Sequence, residues 1–113
     1  MKYTVFLGVK YSAAWLQLNR NERNNFNEKT VYPLIAKYSK SISLKFFDSE
    51  AFSTKISDFI LLETTNLKDY YYFIEEFRDT DLFRKEWLKI EDIYIGIEDG
   101  FKSFEASVIE VKA

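Results

Sequence analysis

Four carboxylates near the middle of the chain, Asp48, Glu50, Asp58 and Glu63, form its densest acidic set. They fall on two successive strands and the junction between them. If those strands pair antiparallel, the carboxylates meet, and one pKa rises for acid–base work or a hard cation is held. Asp48-Ser49-Glu50 is equally an ordinary turn composition, in which Asp and Ser bond local backbone N–H groups. Asp58 stands apart because it interrupts the apolar run from Ile56 to Thr64. A charge there needs a partner or a solvated pocket, since burying it alone costs several kcal/mol. Asp58 is therefore the first-choice site residue.

Arg78 is the expected counterpart. At helical spacing it falls within the stripe Leu67, Tyr71 and Ile74, away from Glu75, Glu76 and Asp79. It reads either as a last-turn Arg that complements the helix C-terminus or as the salt-bridge partner of Asp58. Arg23 repeats the pattern one turn before Phe26. Tyr70 faces the same stripe and carries a hydroxyl that can serve a ligand, although such hydroxyls more often reach the surface. Trp15, in the first strand-to-helix connection, is either a lid over a pocket mouth or packing beneath a loop.

Other chemistry is excluded by what the chain lacks. With no Cys there is no disulfide framework, zinc-thiolate site or thiol nucleophile. With no His, the commonest general base and metal ligand is missing. Gly8, Gly96 and Gly100 have no phosphate-loop spacing, so no nucleotide fingerprint is present. Neither a cofactor nor a metal is implied. Sixteen basic and eighteen acidic residues give a net charge of −2, and no basic run exceeds Arg84-Lys85. Nucleic acid is not an expected partner. The apolar stretch at the N-terminus is too short to span a membrane, and the default location is cytoplasmic. Aromatic residues make up 19% of the chain. That load fits an aromatic-lined pocket, but AT-rich coding with volume-conserving exchange is the plainer source.

The elements that must position these residues follow from periodicity. Residues 3–10 alternate as a strand, 41–48 as a second, 56–64 as a third and 87–95 as a fourth. Ser12 caps a short turn, and Asn19 with Glu22 forms a capping box for a first helix reaching Tyr38. Pro33 predicts a bend or restart inside that helix. Asn66 caps a second helix with a stripe of Leu67, Tyr70, Tyr71, Ile74 and Phe77, ended by Asp79-Thr80-Asp81. The order βαββαβ predicts an α+β, ferredoxin-like antiparallel sheet with its helices on one face. The reading gives a single domain over residues 1–105, with 106–113 as its C-terminal tail. Phe6, Phe59 and Leu61 fall on the face the helices leave bare, where a half-solvated sheet would be polar. A second copy of the same sheet is the economical cover, giving a homodimer.

Several motifs carry a family resemblance. The run Phe46-Phe47-Asp48-Ser49-Glu50-Ala51-Phe52-Ser53, with Ser57-Asp58 after it, resembles the darcynin family. So do Ala14-Trp15-Leu16, Glu22-Arg23, Arg78-Asp79-Thr80 and Ile97-Glu98-Asp99-Gly100-Phe101. The resemblance extends to about Glu105 and leaves out the tail from Ala106 to Ala113. It implies a dimeric α/β-barrel type of fold and no established activity. Related barrels that bind haem commonly do so through a His, which this chain lacks.

The function expected from these readings is a small homodimeric domain. It binds a small aromatic or acidic organic molecule in a helix–sheet pocket holding Asp58, Arg78, Asp48, Glu50, Tyr70, Trp15 and Arg23. A cofactor-independent isomerase or monooxygenase on an aromatic substrate is the second reading, and a structural dimer without a pocket is the third. A roomy cavity with converging charges separates the first two from the third.

Overall fold

Alternation writes the strands and capping residues start the helices. The structure, a computed structural model, describes residues 1–112, with side chains through Ile109. Strand β1 (Tyr3–Tyr11) leads through α1 (Ala13–Leu16) to α2 (Arg20–Phe26), a π-helical segment (Asn27–Val31) and α3 (Tyr32–Lys37). Strands β2 (Ile42–Asp48) and β3 (Asp58–Thr64) follow, then α4 (Leu67–Arg78), α5 (Asp81–Arg84), β4 (Leu88–Gly96) and α6 (Gly100–Lys112). The sheet is antiparallel throughout, in the order β2-β3-β1-β4. This is the expected βαββαβ arrangement.

Period-two alternation divides the sheet into two unlike faces. On one, Val5, Leu7, Ile60, Leu62 and Ile42 are buried against Phe73 and Ile74 of α4, with Leu34, Ile35 and Tyr38 closing in from α3. A second cluster under the β1–α1 connection joins Val9, Trp15, Phe77, Leu82 and Leu88. On the other face, one aromatic ring from each strand forms a row across the sheet. Phe47 of β2 stacks on Phe59 of β3 at 4.8 Å, Phe59 on Phe6 of β1 at 5.1 Å, and Phe6 meets Tyr94 of β4 at 5.9 Å. Gly8 lies opposite Phe59 in the ladder, and a Cβ there would come within 3.2 Å of both Ile56 and Phe6. Among the described residues no helix covers this row.

The helix starts behave as their sequences dictate. The Asn19 side chain accepts from the Glu22 N–H at 2.8 Å, and the Glu22 carboxylate accepts from the Asn19 N–H at 3.0 Å. Asn66 accepts from the Asp69 N–H at 3.2 Å, and Ser12 accepts from the Trp15 N–H. The first helix is interrupted ahead of Pro33 and restarts at it, as expected. The chain widens to π-helical hydrogen bonding over Asn27–Val31, with the Tyr32 N–H donating back to Asn27 O, and α3 restarts around the proline. A π-bulge absorbs the residue that has no N–H to donate.

Two helices have no counterpart in the sequence reading, the single turn α5 and the thirteen-residue α6. The latter runs through the Glu105–Ala106 boundary of the expected tail, of which Ala113 and the side chains beyond Ile109 lie outside the described residues. Its Phe101, Phe104 and Ile109 are exposed. The accessible surface, 8035 Å², exceeds by about 1,500 Å² the roughly 6,500 Å² that scaling gives for this mass. Among the described residues no helix is long and apolar enough to cross a membrane.

Candidate functional site

Between the helices and the sheet lies a cavity of about 60 Å³. Val31, Leu34 and Ile35 roof it from the first helical run, and Leu44, Phe46 and Ile60 form part of its floor. Asp58 and Tyr11 are its polar lining residues. Strand parity puts both on the helix side of the sheet: Asp58 pairs with Val9, and Tyr11 continues the series Tyr3, Val5, Leu7, Val9. Phe46 stands at the rim, 59% exposed.

The ladder itself brings Asp48 to Asp58. The two are register partners, and the next pair, Ser49 and Ser57, is joined by the Ser49 N–H donating to Ser57 O at 2.8 Å. In antiparallel pairing a hydrogen-bonded pair alternates with a non-hydrogen-bonded one, where opposed side chains approach most closely. Asp48 and Asp58 occupy the close position. Burial holds the Asp58 carboxyl above the usual carboxylate value. Asp48 and Glu50 push it further in that direction, against a hydrogen bond from Ser57. Burial also pushes the Tyr11 phenol up to about 12, aided by the charges of Asp58 and Asp48 and by Tyr32. The Tyr11 ring stacks on Trp15 at 5.1 Å, and its backbone N–H donates to Ser57 Oγ at 2.9 Å. The site is thus a largely apolar cavity with a phenol and a proton-hungry carboxyl at one end.

The other expected site residues lie elsewhere. Arg78 does not reach Asp58, and among the described residues no ion pair joins them. The buried stripe of α4 is centred on Phe73, Ile74 and Phe77. That centring turns Leu67, Tyr71 and Arg78 outward, and the guanidinium lies 6.0 Å from the Phe83 ring instead. Trp15 is not a lid: it is 5% exposed and packed among Tyr11, Phe26 and Trp87. Tyr70 is half-buried against the main core, its phenol pKa raised by burial and eased by Arg78. Arg23 is half-buried on α2, its Nε without a hydrogen-bond partner among the described residues. Glu50 belongs to the Asp48–Asp58 end, whereas Glu63 sits at the far end of β3 with Lys2 at 3.0 Å. Among the described residues no group of three His, Cys, Asp or Glu is placed to hold a metal ion. Tyr11 is the residue that sequence reasoning missed. Its signal was the parity of β1, which the expected strand end at Lys10 cut off one residue early.

Known proteins match both sequence and fold. The family model described as "Darcynin, domain of unknown function" matches residues 1–109. Darcynin 1 of Acinetobacter baumannii is 36% identical over 91 residues, covering 80% of this chain and all of the relative. Darcynin of Chromobacterium violaceum is 33% identical over 78 residues, covering 69% of this chain and 98% of the relative. Among solved structures, chlorite dismutase from Candidatus Nitrospira defluvii superposes with a TM-score of 0.74 at 20% identity over 84% of this chain. A heme-binding protein from Thermus thermophilus does so with a TM-score of 0.78 at 13% identity over 90%. This chain spans about two fifths of the length of those solved chains, 39% and 43%. The likeness shows an α+β ferredoxin-like fold of the dimeric α/β-barrel type. Matched by the family model along nearly its whole length and by relatives above 30% identity, the chain belongs to the darcynin family.

Proposed function

We propose that this protein is a homodimeric binding domain that holds a small, largely apolar organic molecule in the cavity between its helices and its sheet. The cavity carries the reading: it is lined by aliphatic and aromatic side chains, with Asp58 and Tyr11 gathered at one end to orient a ligand. It also weighs against a purely structural dimer. An acidic ligand, one of the two classes expected from sequence, is disfavoured because the polar end carries carboxylates and Arg78 is turned away.

The open sheet face supports the dimer. The row Phe47, Phe59, Phe6 and Tyr94 is apolar, uncovered and spans all four strands.

Haem, bound by one structural neighbour, does not fit this cavity. The chain has no His or Cys to take the iron. The Tyr11 phenol is pushed to about 12, away from phenolate. The cavity is about 60 Å³, against several hundred for pockets that hold drug-sized ligands, and its carboxylates would oppose the porphyrin's own.

Thermal denaturation with 1-propanol, 1-butanol, 1-pentanol and phenol tests the binding reading. The Tm should rise with ligand concentration, and Ile60→Phe, which fills the cavity, should abolish the rise. A flat Tm across the panel overturns the reading. One observation favours a second reading, a cofactor-independent isomerase or monooxygenase: a carboxyl with a raised pKa beside a phenol is suited to general acid–base work. Under that reading Asp58→Asn abolishes turnover while leaving ligand binding in place.

A further inference from the structure

Among the described residues the cavity's polar end has negative charge and no salt-bridged cation to match it. Asp58 lines the cavity, Asp48 faces it across the ladder, and Glu50 adds to the same field. The nearby cations are committed elsewhere. Lys55, in the β2–β3 connection, pairs with Asp92 at 2.7 Å, and Lys10 donates to Thr54 O at 3.3 Å. Lys45 shares the parity of Phe47 and belongs to the open face, and Arg78 lies over Phe83. Among the described residues Asp48, Glu50 and Asp58 enter no salt bridge, although the chain forms such bridges at Glu63, Glu76, Asp79 and Asp92. A half-buried carboxylate that adjoins an apolar cavity, is crowded by a second carboxylate and lacks a cation is a charge left for a ligand to neutralise.

The volume sets the size of the apolar part. A water needs about 10–15 Å³ of such space, so the cavity's roughly 60 Å³ takes about four to six heavy atoms. That is a short alkyl chain. The Tyr11 and Phe46 side chains line the same cavity, with Phe46 exposed at its rim.

We infer that the cavity takes a small aliphatic amine as its ammonium ion, with the alkyl chain between the helices and the sheet and the N–H donors on Asp58 and Asp48. The inference rests on the reading of the cavity as a binding site given above and adds the charge of the head group. The ammonium hydrogen-bonds to both carboxylates and relieves their mutual repulsion, which a neutral alcohol does only weakly and a carboxylate cannot do.

Amide chemical-shift titrations with n-butylammonium chloride, 1-butanol and sodium butyrate, at one pH and ionic strength, test it. Butylammonium should bind at least tenfold more tightly than butanol and shift the amides of Tyr11 and Asp58, with butyrate weakest. Asp58→Asn should bring butylammonium to within threefold of butanol while butanol is unchanged. Asp48→Asn, at the exposed member of the pair, should cut the preference at least threefold and serves if the Asp58 variant does not fold. Equal binding of butanol and butylammonium overturns the amine assignment and leaves the cavity reading standing, as does a preference that survives the variants. If none of the three binds the unaltered protein, the cavity reading falls and the inference with it.

Discussion

Asp58 titrates under two constraints, partial burial and an opposed carboxylate. With its folded pKa above the ordinary value, the folded chain holds that proton more readily than the unfolded one. Stability therefore rises as pH falls through the window between the ordinary and the raised value, and is lost as pH rises through it. Asp58→Asn should flatten this slope and be the more stable form above the window. The gain stays within about 1 kcal/mol because the group is partly open to solvent. Urea denaturation at a series of pH values checks it, and an unchanged slope in the variant refutes it. Asp58 was legible in the sequence because it breaks an apolar run. Its neighbour Asp48 was legible both as turn chemistry and as a carboxylate that antiparallel pairing could bring in. No local pattern reveals which ladder position two strands share, so its pairing with Asp58 was not legible. Arg78 was misplaced because the periodicity admits Leu67, Tyr71 and Ile74 as a stripe as readily as Phe73, Ile74 and Phe77. Only packing against Val5, Leu7 and Leu62 selects the second.

Elements that start with a side-chain cap were readable to the residue: Asn19 with Glu22, Asn66, Ser12. Their signal is local, a short polar side chain followed by the amide it satisfies. Asn66 also ties α4 to β3, because its N–H donates to Thr64 Oγ1 at 3.0 Å while the buried Thr64 hydroxyl donates to Ser41 O at 2.9 Å. Asn66→Ala should cost about 1 kcal/mol in the midpoint-derived stability, with the denaturant slope unchanged. A loss below a few tenths would mean that the Asp69 amide finds water equally well. The helix α5 escaped notice because Asp79-Thr80-Asp81 signals a stop as plainly as a new start. Thr80, its N-cap residue, gives no side-chain cap, and its hydroxyl donates back to Phe77 O instead. Pro33 was legible as a disturbance, but the π-helical widening ahead of it has no local sequence signal of its own.

At the level of the molecule, the row of rings on the open face is the feature with most at stake. Phe59 sits at its middle, stacked on both sides. Phe59→Glu places a charge in the centre of that apolar face. Light scattering at micromolar concentration should show a dimer for the unaltered chain and a monomer for the variant, with a native-like far-UV spectrum in both. A monomer in both cases removes the dimer. Double-sided apolar strands made this face visible in the sequence, because a solvated sheet has no use for Phe6 and Phe59 on the side its helices leave bare.

The projecting α6 has a consequence for how the protein moves through solution. The chain measures 63 × 31 × 19 Å with a radius of gyration of 17.2 Å, where about 13 Å is usual for 113 residues. An elongated body meets more friction than a sphere of equal mass. A single chain therefore diffuses, sediments and elutes from a sizing column as though it were heavier, in the direction of the dimer's own value. Retention volume alone would count one subunit as two, so the frictional ratio has to be measured together with the mass.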